Sequence, residues 1–176
     1  MAKIESEDSY LQDILKDKLY YQIPIYQRPY QWTEENCEKL LDDLFFNYEY
    51  DRESDYFCGS LVLVKSDPNS KTATYDIVDG QQRLSTFILL AKVLADLYIY
   101  NGLDSECLEY LQASWKDRYK ERKRLSFNTI GSNAEYDFQD ALEHFNDSQA
   151  SKNKIIENNY LKNAICLKNY LEKKRD

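Results

Sequence analysis

A short apolar run, Ile77-Val78, meets Asp79-Gly80 inside the stretch YDIVDGQQRLST (Tyr75 to Thr86), and the most strongly periodic apolar segment of the chain starts directly after it. A strand, a tight turn and a helix N-terminus must therefore follow one another within a few residues. From Gln81 to Tyr100, Leu84, Phe87, Ile88, Ala91, Leu94, Ala95 and Tyr98 recur at helical spacing, and Asn101-Gly102 supplies the stop. Asp79 is the expected N-cap, with Gln82 completing a capping box. Gly80 lets another group approach the backbone closely. The first helical turn exposes unpaired N–H groups at the positive end of the helix dipole, and Arg83 adds a positive fork beside them. Two readings fit: a seat for a phosphate, or an ordinary helix start in which Asp79 only caps.

Upstream lies a second unusual stretch, IPIYQRPYQW at Ile23 to Trp32. Its two prolines push the residues before them out of the helical region, so Tyr26-Gln27-Arg28 is expected in an extended or turning segment. Aromatic faces, amides and a guanidinium placed together suit a nucleobase or a phosphate. Trp32 directly precedes a helix and reads as a core residue that staples it.

Elsewhere, Ser6 to Asp17 reads as a short amphipathic helix and Tyr20 to Ile25 as a strand that Pro24 either ends or puts at an edge. Thr33 caps a helix from Glu34 to Phe46 with Cys37, Leu40, Leu41, Leu44 and Phe45 inward, while Asp42 and Asp43 fall on its solvated face. Asn47 to Asp55 reads as a loop. Tyr56 to Lys65 is expected as a buried strand, forming a hairpin with Ala73 to Val78. Within it, Gly59 marks a bulge or a close approach, and Cys58 is a small buried hydrophobe. Further helices are expected over Asp104 to about Arg122, Asn133 to Phe145 and Ile155 to Lys174, with a short strand at Leu125 to Phe127. The basic cluster from Lys116 to Arg124 reads as a solvated helix face. His144, beside an apolar face, reads as a packing or surface residue without a carboxylate partner.

With 176 residues the chain suits one domain with a real core. A net charge of −8 opposes non-specific nucleic-acid binding by the surface as a whole. The scattered cysteines 37, 58, 107 and 166 and the lone histidine form no zinc pattern. No apolar run is long enough to cross a bilayer and the N-terminus lacks a signal h-region, so a cytoplasmic protein without a membrane partner is expected.

The segments IPIYQRPYQW at 23–32, FCGSLVLV at 57–64 and YDIVDGQQRLST at 75–86, in that order and spacing, resemble the N-terminal domain of GmrSD-type, modification-dependent restriction endonucleases. RLSF at 124–127 and ENNYLKNAICLKNYL at 157–171 resemble the continuation of that family. The resemblance implies an α+β fold of the ParB/sulfiredoxin-like type: a small mixed sheet with packed helices, followed by a helical C-terminal part. It implies a nucleotide-binding core over 1–102 and a helical extension over 103–176, ahead of a nuclease domain in a longer protein.

The implied activity is binding, and in several members hydrolysis, of a nucleoside triphosphate (GTP or another) with Mg²⁺, in a protein of restriction and phage defence. The family motif carries over onto Asp79, Gly80, Gln81, Gln82 and Arg83, and its YQR element onto Tyr26, Gln27 and Arg28. On the residue chemistry, Asp79, Gln82 and Arg83 are the expected catalytic residues, with Gln81 or Gln82 to orient water and Asp79 as the metal ligand, and Tyr26, Gln27, Arg28, Gly80 and Gln81 are expected to bind the nucleotide. The implied partners are the nucleotide, an HNH-type nuclease domain or subunit, and DNA through the full-length protein or complex, with self-association left open. Sulfiredoxin-like relatives carry a cysteine in the corresponding turn. Gln81 and Gln82 stand there instead, so reductase chemistry is disfavoured. A non-catalytic switch that controls a partner nuclease needs the same cradle, and residue types alone do not separate the two.

Overall fold

The computed structural model describes residues 4–16, 18–67, 69, 71, 73–98, 104–116, 122–128, 133–147 and 158–175. A four-stranded mixed sheet carries the helices, an α+β architecture. Its strands are β1 (Leu19–Ile23), β2 (Val62–Lys65), β3 (Ala73–Asp79) and β4 (Leu125–Phe127), in the order β2-β3-β1-β4. β1 is central and parallel to both neighbours, with Tyr21 opposite Tyr75 on one side and Leu125 on the other. Parallel pairs need crossover connections, and the helices between these strands supply them. β2 and β3 form the expected antiparallel hairpin, Leu63 opposite Ile77. Pro24 follows a central strand, so it ends the ladder rather than marking an edge.

The described helices are α1 (Leu11–Ile14), α2 (Glu34–Tyr50), α3 (Gln81–Tyr98), α4 (Ser105–Ala113), α5 (Ala134–His144) and α6 (Asn159–Arg175). α3 is apolar nearly all round and is buried accordingly, through Leu84, Phe87, Ile88, Leu89, Leu90, Val93 and Ala95. Helix α6 packs against α2, α3 and α5. Its Leu161, Ala164, Leu167 and Leu171 meet Phe138, Ala141 and Leu142 of α5 and Cys37, Leu40 and Leu41 of α2 in one core cluster. Trp32 packs against that cluster as expected, and Asn36 Oδ1 accepts from the Thr33 backbone N–H at 2.9 Å to close the start of α2.

Several element boundaries differ from the sequence expectation. The helix expected over 6–17 is a single turn. α2 continues through Tyr50 into the segment read as a loop, carrying the exposed rings of Phe46, Tyr48 and Tyr50 into solvent. Phe46 and Tyr50 pack on each other at 4.7 Å, and Arg52 covers Tyr48 at 4.4 Å, so local contacts extend the helix without a core to face. The stretch 56–65 is not a buried strand. Gly59 takes φ +103°, pairing begins only at Val62, and β2 lies at the sheet edge with Val62 and Val64 exposed.

The helix expected to reach Arg122 ends at Ala113, and Lys116 pairs with Lys123 in an antiparallel bridge. The basic cluster is therefore not a solvated helix face where it is described. Arg124 is fully buried. It donates to the carbonyls of Ala113 at 2.7 and 3.0 Å and of Lys16 at 2.6 Å, and to that of Leu19. Arg122 lies over the Tyr20 ring at 3.8 Å and donates to Thr74 Oγ1. Asn101-Gly102, Arg118, Lys120 and Ile156 lie outside the described residues.

Candidate functional site

Helix α3 begins one residue later than a capping box at Asp79 requires. Asp79 is the last residue of β3, with its side chain exposed, and the first helical acceptor is the Gly80 carbonyl, bonded by Leu84 N–H at 3.0 Å. Gly80 is thus the N-cap. It has φ +93°, and a Cβ there would lie 2.9 Å from Ser60 O and 3.0 Å from Leu61 Cδ1, so conformation and space both require glycine. Gln82 falls at the second helical position, one short of where a capping glutamine reaches back. It turns outward instead: Oε1 accepts from the N–H groups of Gln31 (2.8 Å) and Trp32 (3.3 Å), and Nε2 donates to Pro29 O at 3.2 Å.

The two unusual stretches are stitched together by their glutamines. Gln27 Nε2 donates to the β3 carbonyls of Ile77 (3.0 Å) and Val78 (2.7 Å), and Gln27 N–H closes a turn onto Pro24 O. Gln81 is 7 % exposed and donates from Nε2 to Arg28 O at 2.8 Å. A flipped amide would set two oxygens face to face, so this bond fixes its orientation. Gln81 Oε1 is then left buried with no partner among the described residues.

Beneath them runs a buried chain of donors. Asn163 Nδ2 donates to Tyr30 Oη at 2.9 Å, Tyr30 Oη pairs with Thr86 Oγ1 at 2.7 Å, and Thr86 donates to Gln82 O at 2.8 Å. Because the threonine proton is committed to Gln82, Tyr30 donates to Thr86. Burial raises the Tyr30 hydroxyl far above the ordinary phenol range and keeps it protonated for that role. Tyr160 stacks on Tyr30 with ring centroids 4.1 Å apart.

Between the 23–30 segment, α3 and the C-terminal half lies a cavity of about 220 Å³. Gln27, Arg28, Gln81 and Gln82 line it, with Ile23, Pro29, Tyr30, Ser85, Phe127 and Tyr160 among its other walls. Four of the eight sequence-predicted residues are thus brought to one concavity. Tyr26 is exposed beside it and does not line it.

Arg83 belongs to the other side of the helix start. Its Nη2 donates to Ser60 O at 2.6 Å and its guanidinium lies over Gly59. Cys58 sits near that guanidinium, but burial is the larger influence and raises its thiol above the ordinary range. That agrees with a packing role.

Asp79 offers one exposed carboxylate, and no group of three or more His, Cys, Asp or Glu side chains suited to a metal occurs among the described residues. One carboxylate fits Mg²⁺ that arrives with a triphosphate and keeps waters, rather than a cage built by the protein alone. His144 does have a carboxylate neighbour, Asp140 Oδ1 at 3.2 Å one turn back, and stays a surface residue of α5. Phe127, Ser85 and Tyr160 line the cavity and Asn163 bonds Tyr30, and their residue types alone do not mark them as site residues. The readable signal was Asn163 on the apolar stripe of α6.

Compared with known proteins, residues 11–175 match the family model described as GmrSD restriction endonuclease, N-terminal domain. A search of curated proteins found no match. No helix among the described residues is long and apolar enough to cross a membrane.

Proposed function

The chain belongs to the GmrSD restriction endonuclease N-terminal domain family, which sets it in a restriction and phage-defence context, and from that premise we propose that it binds a nucleoside triphosphate with Mg²⁺ and regulates a nuclease acting on DNA. The observation that carries this reading is the convergence of Gln27, Arg28, Gln81 and Gln82 on one cavity at the start of α3. The free N–H groups of the first helical turn favour a phosphate there. Arg28 approaches from the cavity, and Arg83 stands on the opposite flank of the helix start. Asp79, at the end of β3, is the candidate Mg²⁺ ligand. When bound, the cation neutralises phosphate charge. In the hydrolytic form of the reading, Arg83 and Arg28 stabilise the charge that develops on the transferred phosphoryl group.

A second reading, a switch that binds without turnover, is favoured by Gln82. Both ends of its amide hold the 29–32 backbone, which leaves it poorly placed to orient water.

Binding of each nucleoside triphosphate with Mg²⁺ to the wild type and to Arg83→Ala, with phosphate release followed in the same samples, tests both. Binding weakened in the variant together with release by the wild type supports hydrolysis. Tight binding without release supports the switch. No binding by the folded full-length protein sinks the nucleotide reading.

A further inference from the structure

Helix α2 carries a second aromatic stripe on the side away from the core. Cys37, Leu40, Leu41 and Leu44 belong to or pack against the core cluster. At about 100° per residue, Phe46 and Tyr50 fall on the opposite side of the helix, among Asp42, Asp43 and Glu49. The two rings pack on each other with centroids 4.7 Å apart, yet Phe46 stays 66 % and Tyr50 73 % exposed. Rings left in water on an outward face contribute little to the fold, and a partner that covers them gains their burial.

The charge around the rings selects that partner. From Asp42 to Phe57 the chain holds six acidic residues and one basic residue, Arg52. Asp42, Asp43 and Glu49 are exposed, and among the described residues none of the three is in an ion pair. Asp42 and Asp43 accept from the neutral hydroxyls of Tyr170 and Tyr56, which leaves their charge uncompensated. The phosphates of a nucleic acid or of an anionic membrane are repelled here. A second copy brings the same carboxylates and its own net charge of −8. A cation, by contrast, is drawn both by the carboxylates and by the ring faces. Neighbouring rings already seat cations in this way: the Arg52 guanidinium lies 4.4 Å from the Tyr48 ring centre, and Lys174 Nζ lies 5.4 Å from that of Phe45.

We propose that this outer face of α2 docks an arginine-rich segment of a partner protein. Its guanidinium groups lie on the Phe46 and Tyr50 rings, and Asp42, Asp43 and Glu49 balance their charge. Exposed ion pairs are weak one by one and are screened by salt, so the rings set the preference. Arginine is favoured over lysine because a planar guanidinium stacks on a ring while its edge still donates to a carboxylate. Phe46 and Tyr50 do not line the cavity at the start of α3, so the proposal stands independently of the nucleotide reading.

The probes are fluorescent nona-arginine, nona-lysine and a single-stranded oligonucleotide, titrated at low and physiological salt into the wild type and two surface variants. Phe46→Leu/Tyr50→Leu removes both rings and leaves the charge unchanged. Asp43→Asn/Glu49→Gln removes two charges and keeps the rings. Melting temperatures confirm that both variants fold. Nona-arginine is expected to bind the wild type more tightly than nona-lysine and to lose about five- to thirtyfold in affinity with the ring variant. With the charge variant its binding should be weaker and less dependent on salt. A nona-arginine affinity that the ring variant leaves within about twofold reflects general attraction to an acidic surface and overturns the proposal. Tighter binding of the oligonucleotide, lost with the ring variant, makes the face a base-stacking surface and overturns it too. So does a wild-type dimer in sedimentation that the ring variant abolishes, because the occupant is then a second copy.

Discussion

A Cβ added to Gly59 would lie 2.1 Å from Nη1 of Arg83, so the arginine rests in space that any other residue would occupy. Gly59 has φ +103° and Arg83 is held there by Ser60 O. The glycine of the 57–64 segment thus seats the arginine that follows the Asp79-Gly80 turn. Gly59→Ala is expected to cost about 1 kcal/mol or more through the backbone alone. It should also push the guanidinium off Ser60. The nucleotide affinity of Gly59→Ala should approach that of Arg83→Ala, and the double variant should lose little more than either one. Additive losses in that cycle would show that Gly59 acts independently of Arg83.

Gln82 is expected to report mainly on stability. Its amide satisfies two N–H groups and one carbonyl of the 29–32 segment. Gln82→Ala should therefore lower unfolding free energy by about 1–3 kcal/mol. Gln82→Glu keeps the acceptor but cannot donate to Pro29, and should fall between. Urea denaturation measures both. A Gln82→Ala protein of wild-type stability that has lost phosphate release would instead make the side chain a direct participant in hydrolysis.

The hairpin, the long helix after Gly80 and the inward faces of α2, α5 and α6 were legible because apolar spacing encodes them directly. The exact helix start was not. Asp79 and Gln82 match a capping box by spacing, but β3 runs on through Asp79 and Gly80 takes the N-cap. Pairing with β2, which continues to Asp79 opposite Val62, decides that, and such pairing is non-local. The motif residues of the site were legible as residue types. Their division was not: Gln81 and Gln82 line the cavity, Gln82 also holds the 29–32 loop, and Arg83 takes the far flank, because successive positions on a helix turn by about 100°. Phe127 and Tyr160 reach the site only through the parallel pairing of β4 with β1 and the packing of α6.

Arg124 belongs by sequence to a basic cluster that reads as a solvated face, yet it is fully buried, and that burial makes a sharp prediction. The guanidinium joins the end of α4, the segment before β1 and β4 through carbonyls of three separate residues. Arg124→Ala should cost about 3–5 kcal/mol, a large share of the stability of a domain this size. Arg124→Lys should restore little of it, because one ammonium cannot reproduce a planar fork spanning those acceptors. Thermal unfolding of the two variants decides this. Near-native stability for Arg124→Lys would mean that charge, not geometry, holds the junction.

Buried thiols give the fold a stability limit at high pH. Burial pushes the Cys37 thiol up to about 12 and the Cys166 thiol up to about 11, from 9.0 in the open chain. Raised acids of this kind stabilise the fold fully below the unfolded value, and that contribution is lost as pH rises through the folded one. Stability should therefore lose ground between about pH 9 and pH 12, while these groups contribute no pH dependence near neutrality. Lysine deprotonation adds to the decline at the upper end, so the informative quantity is the difference between wild type and Cys37→Ala. The variant should start less stable, from the small gap it leaves, and then fall less steeply with pH. Denaturation curves at pH 8, 9.5 and 10.5 measure both slopes. Parallel decline would place the sensitivity elsewhere, among the other groups that burial raises, such as the Cys166 thiol and the hydroxyls of Tyr21, Tyr30 and Tyr160.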